Sequence, residues 1–325
     1  MSSEGGRSVA IRLQGLTKYY GKTLAVDHLS FEIYENEIFG FLGPNGAGKT
    51  TTLLMLTTVI KPSEGTATVM GHDIRRDADA VRRLIDIAFQ EPKLYWVNTP
   101  WEILVWHAKV WGYSGREAKI VVRDVMERLE IWESRHKKAF ELSGGQRKKI
   151  EVAKVLITKP KIAIFDEPTA QIDVAGKHYI WSTIRELRDE GSTILLATND
   201  LYEADVLSER VGIIHRGRLV ALGTPAELKD KVPSGDIIEI RVEGRLDDSV
   251  LSRIKAEGRA SEVNYSDGRL KIYLNRGEEF LPRLVTILME HGVKIHSATV
   301  REPSLDDVFF YYTGLSIREA ERRGR

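Results

Sequence analysis

Gly43-Pro-Asn-Gly-Ala-Gly-Lys-Thr50 stands between a short apolar run, Glu37-Ile-Phe-Gly-Phe-Leu42, and the segment Thr51-Thr-Leu-Leu-Met-Leu56. The first flank reads as a buried strand and the second as a helix. A glycine-rich turn in that setting aims successive backbone N–H groups at an anion, and the helix N-terminus adds partial positive charge. Gly43, Gly46 and Gly48 supply the bends, Lys49 reaches the β- and γ-phosphates of a nucleotide, and the Thr50 hydroxyl ligates Mg2+. A second apolar run, Ile162-Ala-Ile-Phe165, ends in Asp166-Glu167-Pro168. Carboxylates at the carboxyl end of a parallel strand stand where α/β sheets bind ligands. Asp166 is the candidate to hold magnesium, directly or through water. Glu167 is the candidate general base for an attacking water, a role worth about 10²–10⁴-fold. Strand ends are often capped by solvated acids, so order and distance after the glycine-rich turn carry this reading.

A third string, Leu142-Ser-Gly-Gly-Gln146, opens a helical pattern with apolar residues at Ile150, Val152, Ala153, Leu156 and Ile157. Small residues before a helix form a second anion nest. Capping by Ser143 accounts for a lone Ser-Gly-Gly, but not for the whole string beside the other two. With the three strings in this order, the chain resembles the ATP-binding cassette (ABC) ATPases over essentially all of residues 8–230.

That resemblance implies ATP and Mg2+ as cofactors and ATP hydrolysis as the activity. It assigns nucleotide contacts to Gly43, Asn45, Gly46, Ala47, Gly48, Lys49, Thr50 and Thr51, and to Ser143, Gly144, Gly145 and Gln146 of the second loop. Tyr20 matches the aromatic that stacks on adenine; the other reading is a half-buried strand tyrosine. Gln90, after Ile85-Asp-Ile-Ala-Phe89, matches the glutamine that touches Mg2+ and links nucleotide to helical subdomain. Asp173 matches the loop that communicates across a dimer, although Gln171-Ile172 stands where Gly or Leu is more usual. One departure concerns catalysis. Where the family usually has a histidine contacting the γ-phosphate, this chain has Asn199, within Thr198-Asn199-Asp200. An amide still donates a hydrogen bond but cannot carry charge or shuttle a proton. Hydrolysis is therefore expected to survive, slowed, with Glu167 as base. In such ATPases each ATP is clamped between Lys49's loop of one subunit and Ser143/Gly145 of the other. A single set of motifs thus implies a second copy, or a related ATPase subunit, as partner.

The elements that position these residues follow from pattern. Val9-Ala-Ile-Arg-Leu13 and Leu24 to Ile33 alternate as half-buried antiparallel strands do. Parallel strands are expected near 37–42, 84–89, 161–166, 193–198 and 211–215. Residues 92–157 are mostly helical and interrupt them, which gives a mixed α/β layer fold. The fold class is thus a phosphate-loop NTPase fold with an antiparallel β subdomain and an inserted helical subdomain. The insertion holds Trp96, Trp101, Trp106 and Trp111. A five-residue spacing drifts round a helix, which favours core packing plus a few exposed rings. The alternative is that Tyr95, Trp96 and Trp101 line a groove for a membrane partner's cytoplasmic helix.

Past Gly223-Thr-Pro-Ala-Glu-Leu-Lys229, a strand at 236–243, a helix at 247–257, a hairpin turning at Ser266-Asp267-Gly268, a helix at 278–291 and a strand at 293–301 suggest a small ferredoxin-like unit. Ser304 caps a closing helix. The string from Ser304 to Gly314 resembles the C-terminal accessory domain of drug-resistance-type exporter ATPases. Expected boundaries are 1–232 for the nucleotide-binding domain, 233–315 for the accessory domain and 316–325 for a charged tail. His291 and His296 are isolated and read as structural or solvated.

Composition agrees. The formal net charge of +1 over 325 residues shows no large single-sign field, so no nucleic-acid partner is expected. There is no cysteine, hence no disulfide or thiolate metal site. No apolar run approaches the roughly 18–20 residues of a membrane span, and Met1 to Ser8 lacks a signal's apolar core. A cytoplasmic ATPase is expected, peripheral on the inner face of the membrane through a separately encoded permease. The first reading is the ATPase subunit of an exporter. An importer subunit, or a soluble relative acting on ribosomes or nucleic acid, is the alternative. A phosphate-loop kinase or GTPase would lack Leu142–Gln146.

Overall fold

A computed structural model describes residues 7–92, 96–232, 235–244, 246–315, 317, 319 and 320. Tyr95, the first six residues, and Ser316, Arg318 and 321–325 of the expected tail lie outside the described residues. Chain contacts divide the molecule into a unit running through Leu222 and a second at Gly223–Ile317.

In chain order the first unit contains β1 (Val9–Tyr20), β2 (Thr23–Tyr34), β3 (Ile38–Leu42), α1 (Lys49–Leu56), β4 (Glu64–Val69), β5 (His72–Asp73), α2 (Ala78–Arg82) and β6 (Ile85–Ala88). There follow α3 (Pro100–Val110), α4 (Gly115–Arg128), α5 (Gly144–Thr158), β7 (Ile162–Asp166), α6 (Val174–Asp189), β8 (Thr193–Thr198), α7 (Leu201–Leu207), β9 (Arg210–His215) and β10 (Arg218–Gly223). The central sheet has the order β10-β9-β3-β8-β7-β6, parallel from β9 to β6. Every residue of β3, β7 and β8 is buried, as befits parallel strands covered on both faces.

The pleat sends alternate side chains into two cores. Phe39, Phe41, Ile162 and Ile164 join the antiparallel sheet β2-β1-β4-β5, where Phe31 stacks on Phe39 at 5.3 Å. Ile38, Ala163, Phe165 and Ile194 instead meet the helices, including Val152, Val155 and Ile184. Each such fully buried Phe or Ile contributes about 1.5–3 kcal/mol. The β4–β5 pair adds two strands to the antiparallel layer beyond the two expected from alternation.

Three capping boxes start the inserted helices, with Thr99, Ser114 and Ser143 each bonded to an N3 residue that bonds back. The tryptophans divide. Trp101 packs edge-on to Trp132 at 5.7 Å against the core, while Trp96 and Trp106 are 58% and 59% exposed.

The second unit holds α8 (Pro225–Asp230), β11 (Asp236–Glu243), α9 (Asp248–Glu257), β12 (Glu262–Ser266), β13 (Arg269–Leu274), α10 (Gly277–Glu290), β14 (Lys294–Arg301) and α11 (Leu305–Thr313). Its antiparallel sheet runs β12-β13-β11-β14, the β-α-β-β-α-β arrangement expected. Asp267 and Gly268, at φ of 51° and 71°, form the primed two-residue turn that suits a hairpin's twist. This unit starts at Gly223, ahead of the expected division at 232, because α8 packs on α11. His291 bonds to the Ile287 carbonyl and His296 pairs with Glu243, both in structural contacts.

Candidate active site

Four adjacent parallel strands, β3, β8, β7 and β6, end on the residues singled out by chemistry. Gly43 follows β3, Asn199 follows β8, Asp166 closes β7 with Glu167 next, and Gln90 lies two residues past β6. This carboxyl edge of the sheet is where α/β proteins place ligands.

The phosphate loop is shaped by its glycines. Gly48, at φ of 105°, packs so closely on β2 that a Cβ there would come 2.6 Å from the Ala25 carbonyl. Behind the loop Lys49 is 6% exposed, and its ammonium donates to the carbonyls of Gly43 at 2.6 Å and Pro44 at 3.3 Å. It also pairs with Glu167 Oε1 at 3.2 Å. Asn45 and Gly46 face solvent at the loop's crest, and Ala47 is buried beneath it. Thr51 is half-buried on α1.

Thr50 Oγ1 donates to Asp166 Oδ2 at 2.8 Å across 116 residues of chain. Asp166 is 1% exposed, and its other oxygen, Oδ1, is buried with no hydrogen-bond partner among the described residues. A hydroxyl beside an orphaned carboxylate oxygen is a hard-oxygen donor set that fits Mg2+. Among the described residues no group of three His, Cys, Asp or Glu could hold a metal by itself. That suits an ion which takes only one or two protein ligands and completes its shell from water and phosphate.

Glu167 sits at φ of 51°, an unusual backbone region for a bulky residue and one that strained functional sites favour. Burial raises the Glu167 carboxyl above the ordinary glutamate range, against the pull of Lys49 and of a backbone hydrogen bond from Asn199. Burial likewise raises Asp166, with Thr50, Lys148 and Lys49 opposing. The Asn199 amide nitrogen donates to Asn45 Oδ1 at 3.4 Å, which joins the end of β8 to the crest of the phosphate loop.

The second loop is a tight N-terminal turn. Ser143 Oγ accepts from Gln146 N–H at 3.2 Å, and Gln146 Oε1 accepts from Ser143 N–H at 3.1 Å. A Cβ on Gly144 would lie 2.5 Å from Gln171 Oε1, and one on Gly145 would lie 3.4 Å from the Gln171 carbonyl. The Ser143–Gly145 turn therefore rests against the loop that Asp173 closes. Asp173 itself caps α6 by accepting from Gly176 N–H at 2.7 Å. Tyr20 is 49% exposed at the end of β1, with the Lys18 ammonium 5.3 Å above its ring. The Gln90 side chain is exposed, whereas its carbonyl is held from behind.

What holds that carbonyl is a residue that sequence reasoning missed. Lys148, only 2% exposed, donates to the carbonyls of Phe89, Gln90 and Asp166. Burial lowers its pKa to about 8, with Asp166, Glu151, Glu167 and Glu203 opposing. Glu203 was missed too: it is fully buried and accepts from Thr169 Oγ1 at 2.8 Å and Trp181 Nε1 at 2.9 Å. No signal in the sequence separated Lys148 and Glu151 from Arg147, Lys149 and Lys154 on the same helix.

Relatives agree with this geometry. The family described as ABC transporter matches residues 26–170, and the one described as ATP-binding protein DrrA1-3-like, C-terminal domain, matches residues 223–313. The linearmycin resistance ATP-binding protein LnrL of Bacillus subtilis (strain 168) is 31% identical, over 95% of this chain and 100% of its own. The daunorubicin/doxorubicin resistance ATP-binding protein DrrA of Streptomyces peucetius is 33% identical, over 94% of this chain and 92% of its own. Among solved structures, the dimeric, post-hydrolysis cassette MJ0796 bound to ADP and Pi is 26% identical with a TM-score of 0.61, covering 66% of this chain and 98% of that one. These relatives favour a transporter subunit of the resistance and export type over an importer or a soluble factor. The chain belongs to the ABC transporter family, as an ATP-binding ATPase subunit with a DrrA-type C-terminal domain.

Proposed function

We propose that this chain is the ATP-hydrolysing subunit of an ABC exporter, working as a dimer on a separately encoded membrane permease. The observation that carries the reading is the convergence of buried Lys49, Asp166 and Glu167 with the Thr50 hydroxyl at the sheet's carboxyl edge. Lys49 and the loop N–H groups bind the phosphates, while Thr50 and Asp166, with Gln90, hold Mg2+. The ion, when bound, neutralises charge on the phosphate oxygens. Phosphate and Glu167 compete for the Lys49 ammonium. A Glu167 relieved of that partner, in a buried place, is a stronger base toward water. Asn199 donates a neutral hydrogen bond to the γ-phosphate where histidine is usual, which keeps turnover slow. Tyr20 stacks on the base.

Ser143, Gly144 and Gly145 of the opposing subunit close each site, and Asp173 lies at the seam. The transported molecule passes through the permease; among the described residues of this chain no helix is long and apolar enough to cross a membrane. The chain then works at the inner face of the membrane. ATP binding closes the dimer and moves the permease; hydrolysis resets it. Release of phosphate from radiolabelled ATP tests the reading. Glu167→Gln should retain ATP and turn over at least about 10²-fold more slowly than wild type, and equal rates would overturn it.

A further inference from the structure

The helix that begins with the Ser143–Gly145 turn carries three buried charges, Lys148, Glu151 and Lys154. Lys148 and Glu151 are i and i+3 neighbours on α5, 2% and 0% exposed. The Lys148 ammonium spends all three of its protons on main-chain carbonyls: Phe89 at 2.8 Å, Gln90 at 3.2 Å and Asp166 at 2.8 Å. Glu151 Oε2 accepts from the Phe89 N–H at 3.4 Å and from Lys154 at 2.7 Å. One helix therefore grips the Phe89 main chain at both its N–H and its C=O, and bridges it to the end of β7.

Burying an ammonium is expensive, and apolar side chains would pack α5 on the sheet more cheaply. What an apolar residue cannot do is fix three carbonyls that lie at or beyond the ends of β6 and β7. Those carbonyls belong to, or adjoin, the residues read above as the magnesium side of the ATP site. We propose that Lys148, with Glu151 as second anchor, is a positioning residue for hydrolysis: it holds the Gln90 and Asp166 backbones in register with α5. The inference rests on the reading of Asp166 and Glu167 given above. It ties the loop that faces the partner's ATP to the metal side of the subunit's own.

Supporting groups of this kind typically contribute about 10–100-fold to metal affinity or activity. Lys148→Met should lower kcat by about 10–100-fold while the KM for ATP stays within about threefold. Mn2+ affinity, read by EPR titration in the presence of a non-hydrolysable ATP analogue, should weaken by about tenfold. A merely structural lysine would lower the melting temperature and leave kcat and Mn2+ affinity of the folded protein unchanged, and that result overturns the inference. If Lys148→Met does not fold, Lys148→Arg and Glu151→Gln carry the test, since both keep polar groups at the anchor. Each should weaken Mn2+ binding by several fold with ATP affinity intact, and wild-type values for both overturn the inference. Glu167→Gln separates the two levels. Full turnover by that variant defeats the reading of Glu167 whatever the Lys148 variants do, whereas an inactive Glu167→Gln beside a normal Lys148→Met defeats only the present inference.

Discussion

Gly144→Ala separates a loop that serves its own ATP from one that serves its partner's. The added Cβ would meet Gln171 Oε1 at 2.5 Å, about 0.9 Å short of ordinary contact. Gln171 is exposed and its amide is the free end of a flexible side chain, so folding tolerates the change to within about 0.5–1 kcal/mol. Alanine at the first turn of α5 also recovers helix propensity worth up to about 1 kcal/mol, so net stability should barely move. Displacing the Gln171 amide disturbs the packing of this turn on the loop that Asp173 closes, and a misplacement near 1 Å can cost about 10²-fold in turnover. Monomer affinity for ATP should stay at the wild-type value, because the phosphate loop is untouched.

The decisive assay mixes Gly144→Ala with Lys49→Ala. Each homodimer lacks one half of every site. A mixed dimer of the proposed kind has one site with both halves intact, so an equimolar mixture should recover about a quarter of wild-type turnover. Turnover that stays at the level of the separate mutants would show that both loops act within one chain and would refute the reasoning. So would a Gly144→Ala monomer whose ATP affinity falls as far as its turnover.

Further outcomes follow from other contacts. Asn199→His should raise kcat, by up to about tenfold, and Asn199→Ala should lower it; two variants that hydrolyse ATP like wild type would remove Asn199 from catalysis. Asp307, 1% exposed, accepts from Arg301 at 2.6 and 3.1 Å and from Ser304 N–H at 2.9 Å, so Asp307→Ala should cost the second unit about 3–5 kcal/mol in denaturant unfolding. Burial pushes the Asp307 carboxyl up, but hydrogen bonds from Arg301 and Ser304 overcome it and hold it below the ordinary aspartate value. That contribution is complete above a pH of about 3.9 and is lost as pH falls through the lower folded value, so Asp307→Ala should flatten the acid limb of stability. Trp96, exposed beneath the Arg147 guanidinium, should uncouple transport in membranes when changed to alanine while sparing soluble ATP turnover; transport that stays coupled in that variant would remove Trp96 from the permease contact.

The phosphate loop, the Asp166-Glu167 strand end and the Leu142–Gln146 turn were legible because each couples backbone geometry to a few residue types. Parallel strands buried on both faces announce themselves as unbroken apolar runs, as Ile38–Leu42 and Ile162-Ala-Ile-Phe165 do. The second unit was legible for another reason: Asp267-Gly268 sets a hairpin, and strands and helices alternate cleanly around it. Lys148, Glu151 and Glu203 were not. Periodicity assigns a charged residue to solvent, and only tertiary packing decides that these three are buried among carbonyls, hydroxyls and each other. The pairing of β4 with β1 escaped too, because Glu-Gly-Thr-Ala-Thr-Val is short, begins with a strand-poor dipeptide and gains its burial from a partner some fifty residues earlier. Tyr20, matched by resemblance alone, remains 49% exposed at the end of β1 beside Tyr19 at 39%, and strand alternation does not tell the two rings apart.

The most direct measurement is the mass in solution of Glu167→Gln by light scattering, with and without ATP and Mg2+. The account predicts a single-chain mass without nucleotide and twice that mass with it, the dimer persisting because bound ATP is not cleaved. A particle that keeps the single-chain mass at saturating ATP and Mg2+, while binding nucleotide normally, contradicts it.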